Sequence, residues 1–187
     1  MQFSVKNIHK KYRNNIVLNG FNYEFNHNLY LLTGVNGIGK STLLKIISGV
    51  INPSNDNYEI NKEKVAYLCE KIELVNINVY RYLKAISQIN EIEYDVKNEL
   101  KKWNIPNKNI GNLSKGNKQK VSLIMMRYTN ADIFLFDEPT DALDQDGVEL
   151  FRNMITELLN LEKTIIICTH EKEYFRDFNY LELGLTC

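Results

Sequence analysis

Short runs of apolar or alternating residues recur along the chain of 187 residues and predict β-strands. The predicted strands are Met1–Ile8, Ile16–Phe25, Asn28–Thr33, Lys64–Leu68, Ile133–Phe136, Lys163–Cys168 and Tyr180–Leu183. The first two flank a turn at Asn14 and Asn15, so we expect them to form a small antiparallel sheet. The run Ile133–Phe136 is apolar throughout, which is typical of a strand buried on both faces of a parallel sheet.

Apolar residues at helical spacing occupy most of the sequence between these strands. The predicted helical regions are Leu43–Ser48, Asn76–Trp103, Lys118–Tyr128 and Gly147–Leu161, and in the second of them Val79, Tyr82, Leu83, Ile86 and Ile89 share one apolar stripe. Strands that alternate with helices indicate an α/β fold with a mostly parallel sheet. We therefore expect one domain over residues 1–187, in which 1–75 and 131–187 form the core and 76–130 form an inserted α-helical lobe.

The overall composition is that of an ordinary globular protein, with 25% charged residues, 44% hydrophobic residues and a formal net charge of zero. This balance gives no general basicity that would indicate nucleic-acid binding. The longest apolar run, Thr164–Cys168, is too short to cross a bilayer, and the first residues contain no apolar leader, so we expect a cytoplasmic location. Cys69, Cys168 and Cys187 are an odd number without metal-ligand spacing, which favours reduced thiols over disulfides or zinc.

The stretch Gly34–Thr42 reads GVNGIGKST and fits the phosphate-binding pattern Gly, four residues, Gly-Lys-Ser. Its glycines allow the backbone to turn so that successive N–H groups point at one anion. Lys40 supplies a mobile charge for the outer phosphates, and the Ser41 hydroxyl can bind Mg²⁺. The alternative is a Gly-rich turn that only joins a strand to a helix. The phosphate-binding residues are predicted to be Gly34, Asn36, Gly37, Ile38, Gly39, Lys40, Ser41 and Thr42.

Polar residues also follow two later strands at their carboxyl ends. Asp137 and Glu138 come directly after Ile133–Phe136, and His170 follows the strand that ends at Cys168. Ligands of parallel α/β sheets lie at this edge, so we expect Asp137 to hold Mg²⁺ through water and Glu138 to polarise an attacking water. His170 could sense the γ-phosphate. Two acids after a strand can instead cap a turn or helix, and a single histidine is more often a surface or core residue.

Two further candidates are less specific. Tyr12 lies in the turn between the first two predicted strands, where its ring could stack on a base, although an exposed tyrosine in a turn is usually only surface. Leu113–Asn117 reads LSKGN and opens a helix, and a helix N-terminus that begins with Ser and Gly can bind an anion. The alternative is that Ser114 only caps the helix.

The order of these motifs resembles that of the nucleotide-binding domain of ATP-binding cassette (ABC) proteins, over nearly the whole chain. GVNGIGKST resembles the phosphate loop of that family, LSKGN its signature loop LSGGQ, IFLFDE its Walker B strand and DALD its D-loop. The resemblance implies a P-loop NTPase core that binds ATP and Mg²⁺, with Tyr12 on the adenine, Glu70 as a further Mg²⁺ ligand and His170 as the switch histidine. Catalysis would then rest on Lys40, Glu138 and His170.

The resemblance also implies a head-to-tail dimer, which we expect to be a homodimer. Ser114 and Gly116 of one subunit would clamp the ATP that is bound to the phosphate loop of the other. Several positions depart from the common pattern of the family: Glu70 and Asn117 each stand where Gln is usual, Lys115 replaces a Gly, and Asp141 replaces a Ser. These changes bear on the rate of hydrolysis more than on nucleotide binding.

Three functional hypotheses are consistent with the resemblance. The first is the ATPase subunit of an ABC transporter, peripheral on the inner face of the cell membrane and docked on a permease of a separate chain. The short helical lobe and the short segment after His170 resemble the subunits of small bacterial exporters, so we expect export. The second is a soluble ABC ATPase of DNA repair, translation or cofactor assembly, and the third is a nucleotide sensor that does not hydrolyse ATP.

Apolar residues near the start of the helical lobe are candidates for the permease contact. Leu74, Val75, Ile77 and Tyr80 could anchor an amphipathic helix of the permease. The alternative is that these residues pack the lobe onto the core.

Overall fold

The computed structural model describes residues 3–13, 15–61, 64–71 and 73–185. Met1 and Gln2 of the first predicted strand, Asn14 of the predicted turn and Cys187 lie outside the described residues. The strands are β1 (Phe3–Tyr12), β2 (Asn15–Phe25), β3 (Leu29–Thr33), β4 (Glu59–Asn61), β5 (Val65–Leu68), β6 (Ile133–Asp137), β7 (Thr164–Cys168) and β8 (Leu181–Gly184). The helices are α1 (Lys40–Ser48), α2 (Val79–Asn90), α3 (Val96–Lys102), α4 (Lys115–Arg127) and α5 (Gln145–Asn160), with short 3₁₀ turns at Ile110–Asn112 and Lys172–Phe175.

Five strands form a parallel sheet in the order β5-β6-β7-β3-β8, which confirms the predicted α/β fold. Every residue of β3, β6 and β7 is buried, and alternate residues face two separate hydrophobic cores. Phe134 and Ile165 belong to the core that contains residues of α2, α3, α4 and α5. Leu135 and Ile166 belong to the core that contains residues of α1, β1 and β2. The continuous apolar runs are therefore explained by burial on both faces of the sheet.

A second, antiparallel sheet has the order β2-β1-β4, with three strands rather than the expected two. The sequence did not predict β4 because this strand has only three residues and follows the loop-forming stretch Asn52–Asn57. Tyr12 was predicted in the turn, but it is the last residue of β1 and pairs with Asn15. The strands run longer than their apolar pattern because hydrogen bonding continues into polar residues near the turn.

The helical region Asn76–Trp103 divides into two helices. α2 ends where Glu91 adopts a left-handed conformation with φ of 54°, and Asp95 caps α3 by accepting hydrogen bonds from two of its N–H groups. Ile89, which was placed on the apolar stripe, is 76% exposed, so the stripe stops before the last turn of α2. None of the described helices is long and apolar enough to cross a membrane.

α4 begins at Lys115, three residues earlier than the predicted start at Lys118. Ser114 caps it, because the Ser114 Oγ accepts a hydrogen bond of 3.2 Å from the N–H group of Asn117. Gly116 therefore lies in the first turn of a helix and not in the preceding loop.

Arg127, the last residue of α4, links this helix to α3 and α5. Its Nη1 donates to Oε1 of Glu99 in α3 at 2.8 Å, while its Nε and Nη2 donate to the two carboxylate oxygens of Glu157 in α5 at 2.7 and 2.9 Å. Glu99 also accepts hydrogen bonds from the Tyr128 hydroxyl at 3.0 Å and the Trp103 Nε1 at 3.1 Å. The Glu99 side chain is only 7% exposed, so its charge depends on these donors for compensation.

Candidate functional site

The predicted phosphate loop forms the turn between β3 and α1. Gly34, Gly37 and Gly39 have φ angles of 135°, 82° and 118°, in the region that residues with a side chain disfavour. A Cβ atom at Gly39 would lie 2.7 Å from Cγ1 of Val17, so β2 closes tightly against the loop. The Lys40 Nζ donates to two carbonyl oxygens of the loop, the nearer being that of Gly34 at 2.6 Å. The ammonium group therefore lies against the loop that is predicted to bind phosphate.

Asp137, the last residue of β6, is almost completely buried, with 1% of its surface exposed. Its Oδ1 accepts a hydrogen bond from the Ser41 Oγ at 3.0 Å, and its Oδ2 accepts one from the Tyr67 hydroxyl at 3.2 Å. Burial and the adjacent Asp137 carboxylate raise the pKa of Tyr67 well above its ordinary value of 10.0, so the phenol keeps its proton and donates. Sequence reasoning identified Asp137 and Ser41 but missed Tyr67, because that contact requires β5 to lie beside β6.

Glu138 and His170 meet at the carboxyl ends of β6 and β7. Glu138 has a φ of 47°, and its Oε2 lies 3.1 Å from Nδ1 of His170. Burial raises the pKa of the Glu138 carboxyl, and the opposing effect of His170 is smaller. The Glu138 carboxylate beside it in turn raises the pKa of His170. A carboxylate whose pKa is raised towards neutrality is suited to accept a proton from water.

A cavity of about 510 Å³ brings most of the predicted nucleotide-site residues together. Its lining includes Tyr12, Asn36, Gly37, Gly39, Lys40, Ser41, Thr42, Glu70, Glu138 and His170. Asp137 contacts this lining through Ser41, and Gly34 and Ile38 complete the phosphate loop. Three further lining residues were not predicted: Val17, Asp141 and Cys168. Cys168 is the last residue of β7, two positions before His170, so its place at the carboxyl end of the strand was an available signal.

Within the described chain, Ser114 and Gly116 lie outside the lining of this cavity. Ser114 is exposed at the N-terminal end of α4. A Cβ atom at Gly116 would lie 2.5 Å from the carbonyl oxygen of Ala142, so the glycine permits close contact with the segment that resembles a D-loop.

Two groups of side chains in the site could hold a metal ion. The Ser41 hydroxyl and the Asp137 carboxylate are 3.0 Å apart, and Glu70 lines the same cavity. This set offers only oxygen atoms and fits the preference of Mg²⁺. The second group consists of Glu138, Asp141 and His170, whose ligand atoms lie within 4.8 Å of one another. It includes an imidazole nitrogen, which suits transition metals better than Mg²⁺.

Comparison with known proteins relates the chain to one family in both sequence and structure. A family model described as ABC transporter matches residues 18–141. The uncharacterized ABC transporter ATP-binding protein MJ1023 of Methanocaldococcus jannaschii is 34% identical over 183 residues, which cover 92% of this chain and 69% of the relative. The high-affinity zinc uptake system ATP-binding protein ZnuC of Bacillus subtilis is 31% identical over 171 residues, covering 79% of this chain and 74% of the relative. A solved structure described as a putative ABC transporter (ATP-binding protein) from Pyrococcus furiosus superposes with a TM-score of 0.79 at 27% identity, covering 99% of this chain and 98% of that chain.

Proposed function

The chain belongs to the ABC transporter family as an ATP-binding ATPase, and from this premise we propose that it powers export through a membrane permease on a separate chain. The observation that carries the ATP-hydrolysing part of the proposal is one cavity at which the phosphate loop, the Ser41–Asp137 contact and the Glu138–His170 pair converge.

ATP binds with its phosphates in the loop Gly34–Thr42 and its base against Tyr12. The backbone N–H groups of the loop and the N-terminus of α1 attract the negative phosphates. Lys40 exchanges its carbonyl partners for phosphate oxygens, which are stronger acceptors because they are charged. Tyr12 is 47% exposed and lines the cavity, so its ring is accessible to a stacking base.

Ser41, Asp137 and Glu70 would hold Mg²⁺, the first through its hydroxyl and the second through water. When bound, the ion neutralises charge on the phosphates of ATP. The 3.0 Å contact between Ser41 and Asp137 brings a hydroxyl of α1 and a carboxylate of β6 to one point. Glu70 offers oxygen atoms as Gln would, but it adds a negative charge to the site.

Hydrolysis depends on Glu138, which orients the attacking water and accepts its proton. The water oxygen bonds to the γ-phosphorus as the bond to ADP breaks, and Lys40 stabilises the charge on the transferring group. His170 contacts Oε2 of Glu138 at 3.1 Å, so it fixes the carboxylate at the edge of the cavity.

Two copies of the chain form the active homodimer in a head-to-tail arrangement. The exposure of Ser114 and its absence from the lining of its own cavity support this arrangement. Ser114 and Gly116 then present the N-terminus of the 13-residue helix α4 to the ATP of the partner. Lys115 adds a positive charge beside that contact.

For the permease contact we expect fewer anchors than the four that the sequence offered. Val75 and Ile77 are 64% and 39% exposed, so they remain available to a partner helix. Leu74 and Tyr80 are only partly exposed and pack against the core that contains α2, which favours their role in fixing the lobe. The chain then works as a peripheral subunit on the inner face of the membrane, and the short helical lobe favours a small exporter.

The catalytic part of the proposal is tested with Glu138→Gln, which keeps the shape of the side chain and removes the base. The variant should bind MgATP, hydrolyse it at least about a hundredfold more slowly than the wild type, and elute as a dimer when ATP is present. Size-exclusion chromatography and a phosphate-release assay measure both effects. A monomer with undiminished turnover would contradict both the role of Glu138 and the shared site.

The partner is tested by pull-down of the tagged chain from detergent-solubilised native membranes. A multi-span protein should be recovered by the wild type and by the control Ile89→Glu, and lost with Val75→Glu combined with Ile77→Glu. Recovery of only ribosomal or DNA-repair components would favour a soluble ABC ATPase instead.

The direction of transport is tested by mass spectrometry of the growth medium of cells that lack the chain. Complementation with the wild type, but not with Glu138→Gln, should enrich the exported compound in the medium. A compound that is depleted from the medium in the same comparison would show uptake, as the name of the zinc-uptake relative describes for that protein.

A further inference from the structure

The hydroxyl of Tyr67 takes no part in the roles described so far, yet it contacts the most buried carboxylate of the site. Tyr67 lies on β5, directly beside β6, and donates to Oδ2 of Asp137 at 3.2 Å. Ser41 donates to the other oxygen, Oδ1, at 3.0 Å. The two oxygens of Asp137 are thus held by hydroxyl groups from different elements of the fold, one from a strand and one from the N-terminal turn of α1.

The orientation of the Asp137 carboxylate depends on these two donors. The torsion that rotates a carboxylate about its last bond has broad minima and is not fixed by the backbone. Asp137 is 1% exposed, so water does not hold its oxygens in place. The Tyr67 ring packs partly buried against the core that contains α1, which fixes the position of its hydroxyl. Removing that hydroxyl would leave Oδ2 without its donor and free the carboxylate to turn.

We propose that Tyr67 is a positioning residue for the Mg²⁺ site, because it holds Asp137 so that Oδ1, the oxygen beside Ser41, is presented to the ion that accompanies ATP. This inference rests on the proposed roles of Ser41 and Asp137 in metal binding. Tyr67 itself does not touch the ion or the nucleotide. Its effect should therefore appear in the affinity for metal and not in the affinity for nucleotide alone.

The test is Tyr67→Phe, which removes one oxygen atom and keeps the ring. The Mg²⁺ concentration for half-maximal hydrolysis at saturating ATP should rise about tenfold, the typical effect of losing a hydrogen bond to a charged group. Mn²⁺ binding in the presence of ADP, followed by electron paramagnetic resonance, should weaken by a similar factor. Binding of a fluorescent ATP analogue in EDTA should be unchanged, and the turnover number at saturating Mg²⁺ should stay within about threefold of the wild type.

Tyr82→Phe is the matched control. The Tyr82 hydroxyl is also partly buried and donates to the Met125 sulfur at 3.3 Å, but it lies in the helical lobe. This variant should leave the Mg²⁺ dependence and the Mn²⁺ affinity unchanged.

A second comparison uses Asp137→Asn, in which adding Tyr67→Phe should cause no further loss of Mn²⁺ affinity. The same metal dependence in Tyr67→Phe and the wild type would overturn the proposal. So would an equal loss of metal-free nucleotide binding, or a full additional loss of Mn²⁺ affinity in the Asp137→Asn background. Failure of the proposed function would look different, because Asp137→Asn alone would then leave metal binding intact.

Discussion

Arg127→Met should be strongly destabilising, because it leaves the buried Glu99 carboxylate without its cationic partner. Removal of one member of a buried ion pair costs about 3–5 kcal/mol. Glu99 keeps the Tyr128 hydroxyl and the Trp103 N–H group as neutral donors, so we expect a loss near the lower end, about 3 kcal/mol of the free energy of unfolding. For a chain of this length each kcal/mol lowers the melting temperature by about 2–4 °C, which gives a fall of about 6–12 °C.

Arg152→Met is a closely matched control. The Arg152 side chain is 21% exposed against 19% for Arg127, and both guanidinium groups lie over an aromatic ring, at 5.2 and 5.1 Å. Its acidic partners Glu149 and Asp177 are 66% and 81% exposed, so their charges are solvated when the arginine is removed. The loss should therefore be about 1 kcal/mol or less.

Urea denaturation followed by circular dichroism measures the free energy of unfolding of the two arginine variants, and thermal melting measures their melting temperatures. Glu99→Gln in the Arg127→Met background should recover about 1–2 kcal/mol, because it removes the unpaired charge and keeps the shape of the side chain. Equal losses for the two arginine variants would refute the reasoning. The absence of any recovery with Glu99→Gln would refute it as well.

Three further predictions concern the nucleotide site. Lys40→Ala should weaken ATP binding at least about tenfold in calorimetry, since it removes a charge-assisted contact, whereas Lys45→Ala at the other end of α1 should not. Gly39→Ala should lower the free energy of unfolding in urea by about 1–3 kcal/mol, because φ at Gly39 is 118° and the new methyl group would meet Val17. Gly184→Ala is the control, since its methyl group would meet no atom within 4 Å. Because Glu138 raises the pKa of His170 above its ordinary 6.5, the pair stabilises the fold below pH 6.5 and loses this contribution as the pH rises through the raised value. Glu138→Gln should therefore lower the His170 pKa in an NMR titration, and an unchanged value would contradict the contact.

The parts of the site that depend on local sequence could be predicted closely. The phosphate loop needs glycines at fixed spacing followed by Lys40 and Ser41, and all of these are neighbours along the chain. Asp137 and Glu138 were placed correctly because an apolar run ends in two acids, and a parallel sheet collects such ends at one edge. These predictions needed the fold class but no knowledge of individual contacts.

The parts that depend on contacts distant in sequence could not be predicted. The hydrogen bond from Tyr67 to Asp137 spans 70 positions and exists only because β5 and β6 are adjacent. The start of α4 was placed too late because Gly116 is a poor helix former, and its contact with Ala142 was not visible in the sequence. The exposure of Ile89 likewise depends on where α2 stops packing against its neighbours.

The alternation of residues along β6 constrains how this chain can change in evolution. Ile133, Leu135 and Asp137 share the side of the strand that faces α1, whereas Phe134 and Phe136 face the core that contains residues of α2, α3, α4 and α5. A substitution on one side disturbs only one of the two cores. Insertion or deletion of a single residue would exchange the two sets, bury the wrong residues on both sides and carry Asp137 away from Ser41. Side chains of β6 can therefore diversify, while the number of residues in the strand stays fixed.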